Sequence, residues 1–203
     1  MVRAETLATL RRALDRPVPA SSDFDLNPDV ILPEGRKLRP AAVLVAIGET
    51  GNGPEVVLTK RSSRLKHHPG QIAFPGGKVE ADDASPEAAA LREAREEIGL
   101  PEGLAQVIGT LPPHETVTGF TVEPFVAVLD ADFEVRCEDG EVDEVFRVPL
   151  SHVTDPARFS IQWRRWRGQR RHYYTVPFGP YYIWGATARI LRNLAYAVHA
   201  NAD

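Results

Sequence analysis

Residues 74–100 read FPGGKVEADDASPEAAALREAREEIGL, a glycine turn running into a stretch crowded with carboxylates. Pro75, Gly76 and Gly77 mark a turn at which backbone can come close to a ligand. Ser85 followed by Pro86 is an N-cap with proline at the first helical position, so a helix starts there, and Gly99 supplies its stop. Ala88, Leu91, Ala94 and Ile98 recur at three- and four-residue spacing and predict the apolar stripe that faces a core.

The polar side of this helix carries Arg92, Glu93, Glu96 and Glu97. Glu93 and Glu97 lie one above the other with Glu96 on the same side, so the three carboxylates share one patch. Like charges this close repel, and the helix holds no lysine to pair with them. A solvated acidic face neutralised by Arg92 and Arg95 is the ordinary reading of such a helix. The glycine turn directly upstream favours a hard divalent cation instead. Mg²⁺ or Mn²⁺ takes oxygen ligands and keeps waters that a phosphate can replace.

Gly77, the acids after it and the run Arg92-Glu93-Ala94-Arg95-Glu96-Glu97-Ile98-Gly99-Leu100 resemble the Nudix box. The run from Arg92 matches at every position. Before it the spacing is longer by one: the usual glutamate lies eight residues before the arginine, whereas Asp83 lies nine before Arg92, so the partner of Arg92 is Asp83 or Glu80. Strands first, a helix in the middle and a helix at the end of the chain give an α+β fold with helices on both sides of a mixed sheet, the α/β/α sandwich that the resemblance also implies. The resemblance further implies metal-dependent hydrolysis of a nucleoside diphosphate linked to another moiety, with Arg92, Glu93, Glu96 and Glu97 as the catalytic set. Glu93, Glu96 and Glu97 are the expected metal ligands, one of them the base, and the family adds the Gly77 carbonyl as a further ligand.

Upstream, Leu58-Thr59-Lys60-Arg61-Ser62, Lys66, Gly70 and Phe74-Pro75-Gly76-Gly77 resemble the additional motif of the coenzyme A pyrophosphatase branch. Lys66 stands where that motif has arginine, which keeps the charge without the bidentate grip. The branch resemblance implies coenzyme A as substrate, with adenosine 3′,5′-bisphosphate and 4′-phosphopantetheine as products, and Arg61, Lys66, Gly76 and Gly77 as substrate-binding residues. Arg61 has a structural alternative as a salt-bridged strand end. ADP-ribose, NADH and an oxidised nucleoside triphosphate are the alternative substrates, and a catalytically inactive binding or regulatory module is the alternative class. His67 and His68 read as loop residues, since nothing near them has zinc-ligand spacing.

The chain has 203 residues, 43% hydrophobic and 26% charged, enough for one well-buried domain of ordinary globular composition. With 24 basic and 28 acidic residues the net charge is −4, which argues against a nucleic-acid or membrane-surface partner, while the resemblance implies a small-molecule substrate. Cys137 is the single cysteine, so no intrachain disulfide forms, consistent with the expectation of a cytoplasmic protein. No motif points to a covalent nucleophile.

Residues 1–38 are expected to form an N-terminal helix and an extended arm, and residues 39–203 the hydrolase domain. Leu7, Leu10 and Leu14 have helical spacing and Pro17 closes that helix; Glu5 and Asp15 argue against a targeting leader, leaving a docking helix. Ala41–Ile47 and Val56–Leu58 read as strands joined by a hairpin, with further strands at Gln106–Leu111, Phe120–Val128 and Glu144–Leu150. The last of these resembles the segment that returns to the site in many Nudix enzymes, making Glu144 a candidate late metal ligand or base, with Glu141 and Asp143 equally placed. Phe159–Pro177 reads as a long hairpin with Arg164, Arg165, Arg170 and Arg171 near its tip, either a cationic rim for substrate or, the preferred reading, a charged edge that resists strand pairing. Ile183–Ala200 has helical spacing and closes the chain, and Tyr181–Leu191 also resembles the coenzyme A branch.

Overall fold

A computed structural model of the chain describes residues 2–166 and 168–199. Met1, Arg167 and Ala200, each within a segment read above, lie outside the described residues. In chain order the elements are α1 (Ala4–Leu14), β1 (Ser21–Ser22), β2 (Arg39–Thr50), β3 (Gly53–Arg61), β4 (Ile72–Ala73), β5 (Gly76–Lys78) and α2 (Pro86–Ile98). They continue with β6 (Ala105–Thr110), β7 (His114–Glu115), β8 (Phe120–Leu129), β9 (Val142–Pro149), α3 (Leu150–Val153), β10 (Ser160–Trp166), β11 (Gln169–Thr175) and α4 (Ala186–His199).

The central strand is β2. It pairs parallel with β8 and antiparallel with β3 and β5, so the sheet is mixed. Its side chains alternate between two cores, as a strand buried on both faces must. Ala42, Leu44 and Ala46 pack with Ala89, Ala90, Ala94 and Ile98 of α2 on one face. Val45 and Ile47 join Leu10 of α1, Leu150 of α3 and Leu191 and Leu194 of α4 on the other. Helices on both faces of a mixed sheet make the α/β/α sandwich.

Helix α2 begins and ends as its caps dictate. Ser85 Oγ accepts from the Ala88 amide at 3.1 Å, and Gly99 adopts φ +70° while its N–H closes on the Arg95 carbonyl. The apolar stripe is rotated from the expected one. Ala94 and Ile98 are buried as anticipated, but Ala88 and Leu91 are half-buried, and Ala89, Ala90 and Glu97 take the inner face. Small alanines let the helix sit close to the sheet, and a hydrogen bond from the neighbouring turn holds Glu97 inside.

The hairpin β2–β3, the strands β6, β8 and β9 and the hairpin β10–β11 fall where the sequence places them. Helix α4 starts later than expected, at Ala186, because Trp184 forms a bridge with Thr175 and Gly185 turns the chain at φ +66°. The arm after α1 lies against the sheet. Ser21 and Ser22 pair with His114 and Glu115, and the Asn27 side chain bonds both the N–H and the carbonyl of His172 on β11.

Candidate active site

The site forms where β5, α2 and the end of β3 meet. Strand β5 lies along β2, with Gly76 opposite Val43 and Gly77 opposite Ala42. Gly76 has φ +150°, and a Cβ there would stand 2.4 Å from the Ala42 carbonyl oxygen. Gly77 meets α2: a Cβ there would stand 2.3 Å from Glu93 Oε1. At Gly76 backbone excludes a side chain, and at Gly77 a side chain would have to push the Glu93 carboxylate aside, so backbone packs directly against the carboxylates, the close approach expected of this turn.

Glu97 is buried, with 3% of its surface exposed. Its Oε2 accepts from the Gly76 N–H at 3.0 Å, and its Oε1 lies 3.8 Å from the Arg61 guanidinium. Burial pushes its pKa up to about 7, with Glu93 and Glu141 acting in the same direction and the Gly76 amide and Arg61 against it. Glu93 is likewise raised, first by burial and then by Glu96 and Glu141, with Arg92 opposing.

Arg92 is the hub of the exposed side. Its Nε and Nη2 grip Asp83 at 2.9 and 3.0 Å, and its Nη1 reaches Glu93 at 3.2 Å and Glu96 at 2.9 Å. The partner of Arg92 is therefore Asp83. Glu80 contributes its backbone N–H, which donates to Asp83 at 2.8 Å. The arginine neutralisation expected of an ordinary acidic helix is thus present at Glu93 and Glu96, while Glu97 faces inward.

Arg61 reaches the helix because β3 and β9 lose register there. Lys60 pairs with Glu144 but Arg61 pairs with Val142, leaving Asp143 bulged out, where its carboxylate accepts from the Ser63 N–H at 2.9 Å. Lys66 is exposed in the loop between β3 and β4. Glu144 is held by the Tyr181 hydroxyl, and Tyr181 stacks on Phe146 with ring centroids 3.6 Å apart. The acid whose field reaches both Glu93 and Glu97 is Glu141. The segment before it runs beside the end of α2, with the Arg136 amide bonded to the Ile98 carbonyl and the Glu138 amide to that of Glu97. The signal for Glu141 in the sequence is an acid directly after the Asp139-Gly140 turn, one residue ahead of a strand.

Among the described residues no three His, Cys, Asp or Glu side chains stand at metal-ligand spacing, Arg92 being bonded to both Glu93 and Glu96. The donor chemistry nevertheless fits a hard cation. All donors are oxygen, Glu97 is buried with one N–H and one distant guanidinium among the described residues to offset its charge, and the absence of a side chain at Gly77 lets its backbone pack against Glu93. Glu93, Glu96, Glu97 and the Gly77 carbonyl are the groups that would hold it, and a cation that displaced the proton on Glu97 would relieve the repulsion among them.

Several known proteins are similar to this chain. The crystal structure of a Nudix hydrolase from M. smegmatis, RenU, is 26% identical with a TM-score of 0.48 over 59% of this chain and 74% of its own. A protein of Enterobacter sp. (strain 638) named "Uncharacterized Nudix hydrolase NudL" is 41% identical over 160 residues, 79% of this chain and 83% of that one. The protein of that name from Escherichia coli (strain K12) is 40% identical over 177 residues, 87% of this chain and 92% of that one. The NUDIX domain model matches residues 37–167, which include the glycine turn, α2 and the Arg61 strand. With the box folded into one turn and one helix, and with that match across most of its length, the chain belongs to the Nudix hydrolase family.

Proposed function

We propose that the protein hydrolyses the diphosphate linkage of coenzyme A or its derivatives, releasing adenosine 3′,5′-bisphosphate and 4′-phosphopantetheine. The observation that carries this reading is the meeting of two motifs. Arg61, from the segment that resembles the coenzyme A branch, lies 3.8 Å from Glu97 of the box, and Gly76 of the same segment donates to that carboxylate. A substrate gripped by Arg61 therefore has its diphosphate beside the glutamate cluster.

Mg²⁺ or Mn²⁺, bound by Glu93, Glu96, Glu97 and the Gly77 carbonyl, would neutralise the diphosphate and acidify the attacking water. The chain supplies the rest. Arg92 fixes Glu93 and Glu96 by tying them to Asp83, and the packed turn fixes Glu93 and Glu97. Positioning of this kind is worth most when the groups need not reorganise during reaction. Arg61 offers a cation to a phosphate oxygen, and Lys66, exposed on the loop, a second. Glu141, whose charge already acts on Glu93 and Glu97, is a base in this reading alongside those glutamates; Glu144 serves as ligand or base only after release from Tyr181.

The same proposal covers organisation and setting. Residues 39–203 form the hydrolase domain, to which the helix and arm of residues 1–38 are docked, and the protein works in the cytoplasm on a small-molecule substrate. No described helix is long and apolar enough to cross a membrane. A panel of coenzyme A, dephospho-coenzyme A, ADP-ribose, NADH and 8-oxo-dGTP, each with Mg²⁺ or Mn²⁺ and with products identified, tests the substrate. The highest kcat/KM is expected on coenzyme A; faster turnover of ADP-ribose would reassign the substrate within the family.

A further inference from the structure

The hairpin β10–β11 places its tip arginines in different surroundings. Residues directly opposite across an antiparallel pair share a face, so Gln162, Arg164, Arg171 and Tyr173 lie on one side and Trp163, Arg165, Arg170 and His172 on the other. Arg170 covers Trp163 at 4.4 Å on that second side, and Arg171 turns to Phe24 of the arm at 5.1 Å. Arg164 instead lies over Trp184 at 4.2 Å. The Trp184 ring also meets Tyr173 at 5.1 Å, and the Tyr173 hydroxyl is 3.3 Å from that of Tyr182, whose residue is 46% exposed. Together they form a shelf of planar aromatic and guanidinium groups.

The shelf borders the loop that carries the coenzyme A-type motif. Gly185, next to Trp184, faces the Gln71 side chain, and Thr187 donates to the Ile72 carbonyl at 3.0 Å. His68, the one described non-glycine residue with positive φ (+56°), sits on that loop within the fields of both Arg61 and Arg164. Arg61 in turn faces Glu97. Among the described residues Arg164 has no carboxylate partner. A cation without a carboxylate, stacked on a tryptophan beside a polyanion site, suits a phosphorylated nucleoside, because bases stack on aromatic and guanidinium planes and arginine pairs with phosphate.

We propose that Arg164, Trp184 and Tyr182 form the subsite for the nucleoside end of the substrate, with the base packed on the shelf and a phosphate of that nucleotide paired with Arg164. The inference rests on reading the substrate as a nucleoside diphosphate derivative and adds which half of it this side of the site receives. Calorimetric titration of the full chain in Mg²⁺ with adenosine 3′,5′-bisphosphate and, separately, 4′-phosphopantetheine tests it. Arg164→Ala should weaken the first about five- to tenfold and leave the second within about twofold, with Arg164→Lys recovering part of the loss and Tyr182→Ala weakening only the first. In turnover, Arg164→Ala should raise KM with kcat little changed. Equal weakening of both halves, no weakening, or no binding of adenosine 3′,5′-bisphosphate by the unmodified chain would overturn the subsite. Because titration needs no turnover, a chain that binds the nucleotide half through Arg164 yet leaves coenzyme A intact would overturn the proposed substrate and keep the subsite.

Discussion

Glu97 concentrates the physical conflict of the site at one residue. Burial raises its pKa from the ordinary 4.5 to about 7, so between those values the folded chain holds a proton that the unfolded chain has released. Stability without metal should therefore fall as pH rises from about 4.5 to about 7, by at most about 3 kcal/mol for this group. Glu93, also raised, acts in the same direction, while Asp83, lowered by Arg92, contributes stability that is lost only at more acidic pH. A divalent cation must displace the proton on Glu97, so the apparent affinity for Mn²⁺ should climb with pH until about 7 and then level off. Melting curves of the wild type and Glu97→Gln with and without Mn²⁺ check this. The variant should fold, show a weaker pH dependence and lose most of its Mn²⁺ stabilisation, with turnover down by several orders of magnitude; an undiminished Mn²⁺ response would remove Glu97 from the ligand set. Arg61→Ala, which removes a charge that lowers the Glu97 pKa, should move the onset of Mn²⁺ binding to higher pH.

At the scale of elements, the bounds of α2 were legible because caps are local: Ser85, Pro86 and Gly99 act within one turn of themselves. Its inner face was not, because Glu97 is drawn inside by the Gly76 amide, a contact between residues 21 apart in sequence. The choice among Glu141, Asp143 and Glu144 was equally hidden, since the bulge at Asp143 decides which side chain points where, and no local pattern encodes it. The turn itself separates fold from chemistry. In Gly76→Ala the new Cβ meets the Ala42 backbone oxygen at strained φ, so the melting temperature should drop by several degrees. In Gly77→Ala it meets only the end of the Glu93 side chain, which can swing away. Thermal stability should then stay near that of the wild type while kcat falls at least about a hundredfold. Comparable losses of stability in both variants would show that the Gly77–Glu93 packing serves the fold.

Across the whole molecule, the mixed sheet with helices on both faces was readable from the order of strands and helices, and the box named the chemistry the sheet carries. The docking of the arm was harder to foresee. Its contacts depend on the polar side chains of Ser21, Asp23 and Asn27 finding His114 and His172, residues about 90 to 150 positions away with no periodicity to advertise them. The central claim is that these layers bring a glycine turn, a glutamate helix and Arg61 together to cleave the diphosphate of coenzyme A. Phosphorus NMR of coenzyme A incubated with the protein and Mg²⁺ tests it most directly. The diphosphate resonances should disappear and be replaced by phosphomonoester signals matching adenosine 3′,5′-bisphosphate and 4′-phosphopantetheine, and neither change should occur with Glu97→Gln. Diphosphate resonances that persist with both Mg²⁺ and Mn²⁺, or that vanish equally with the variant, would contradict it.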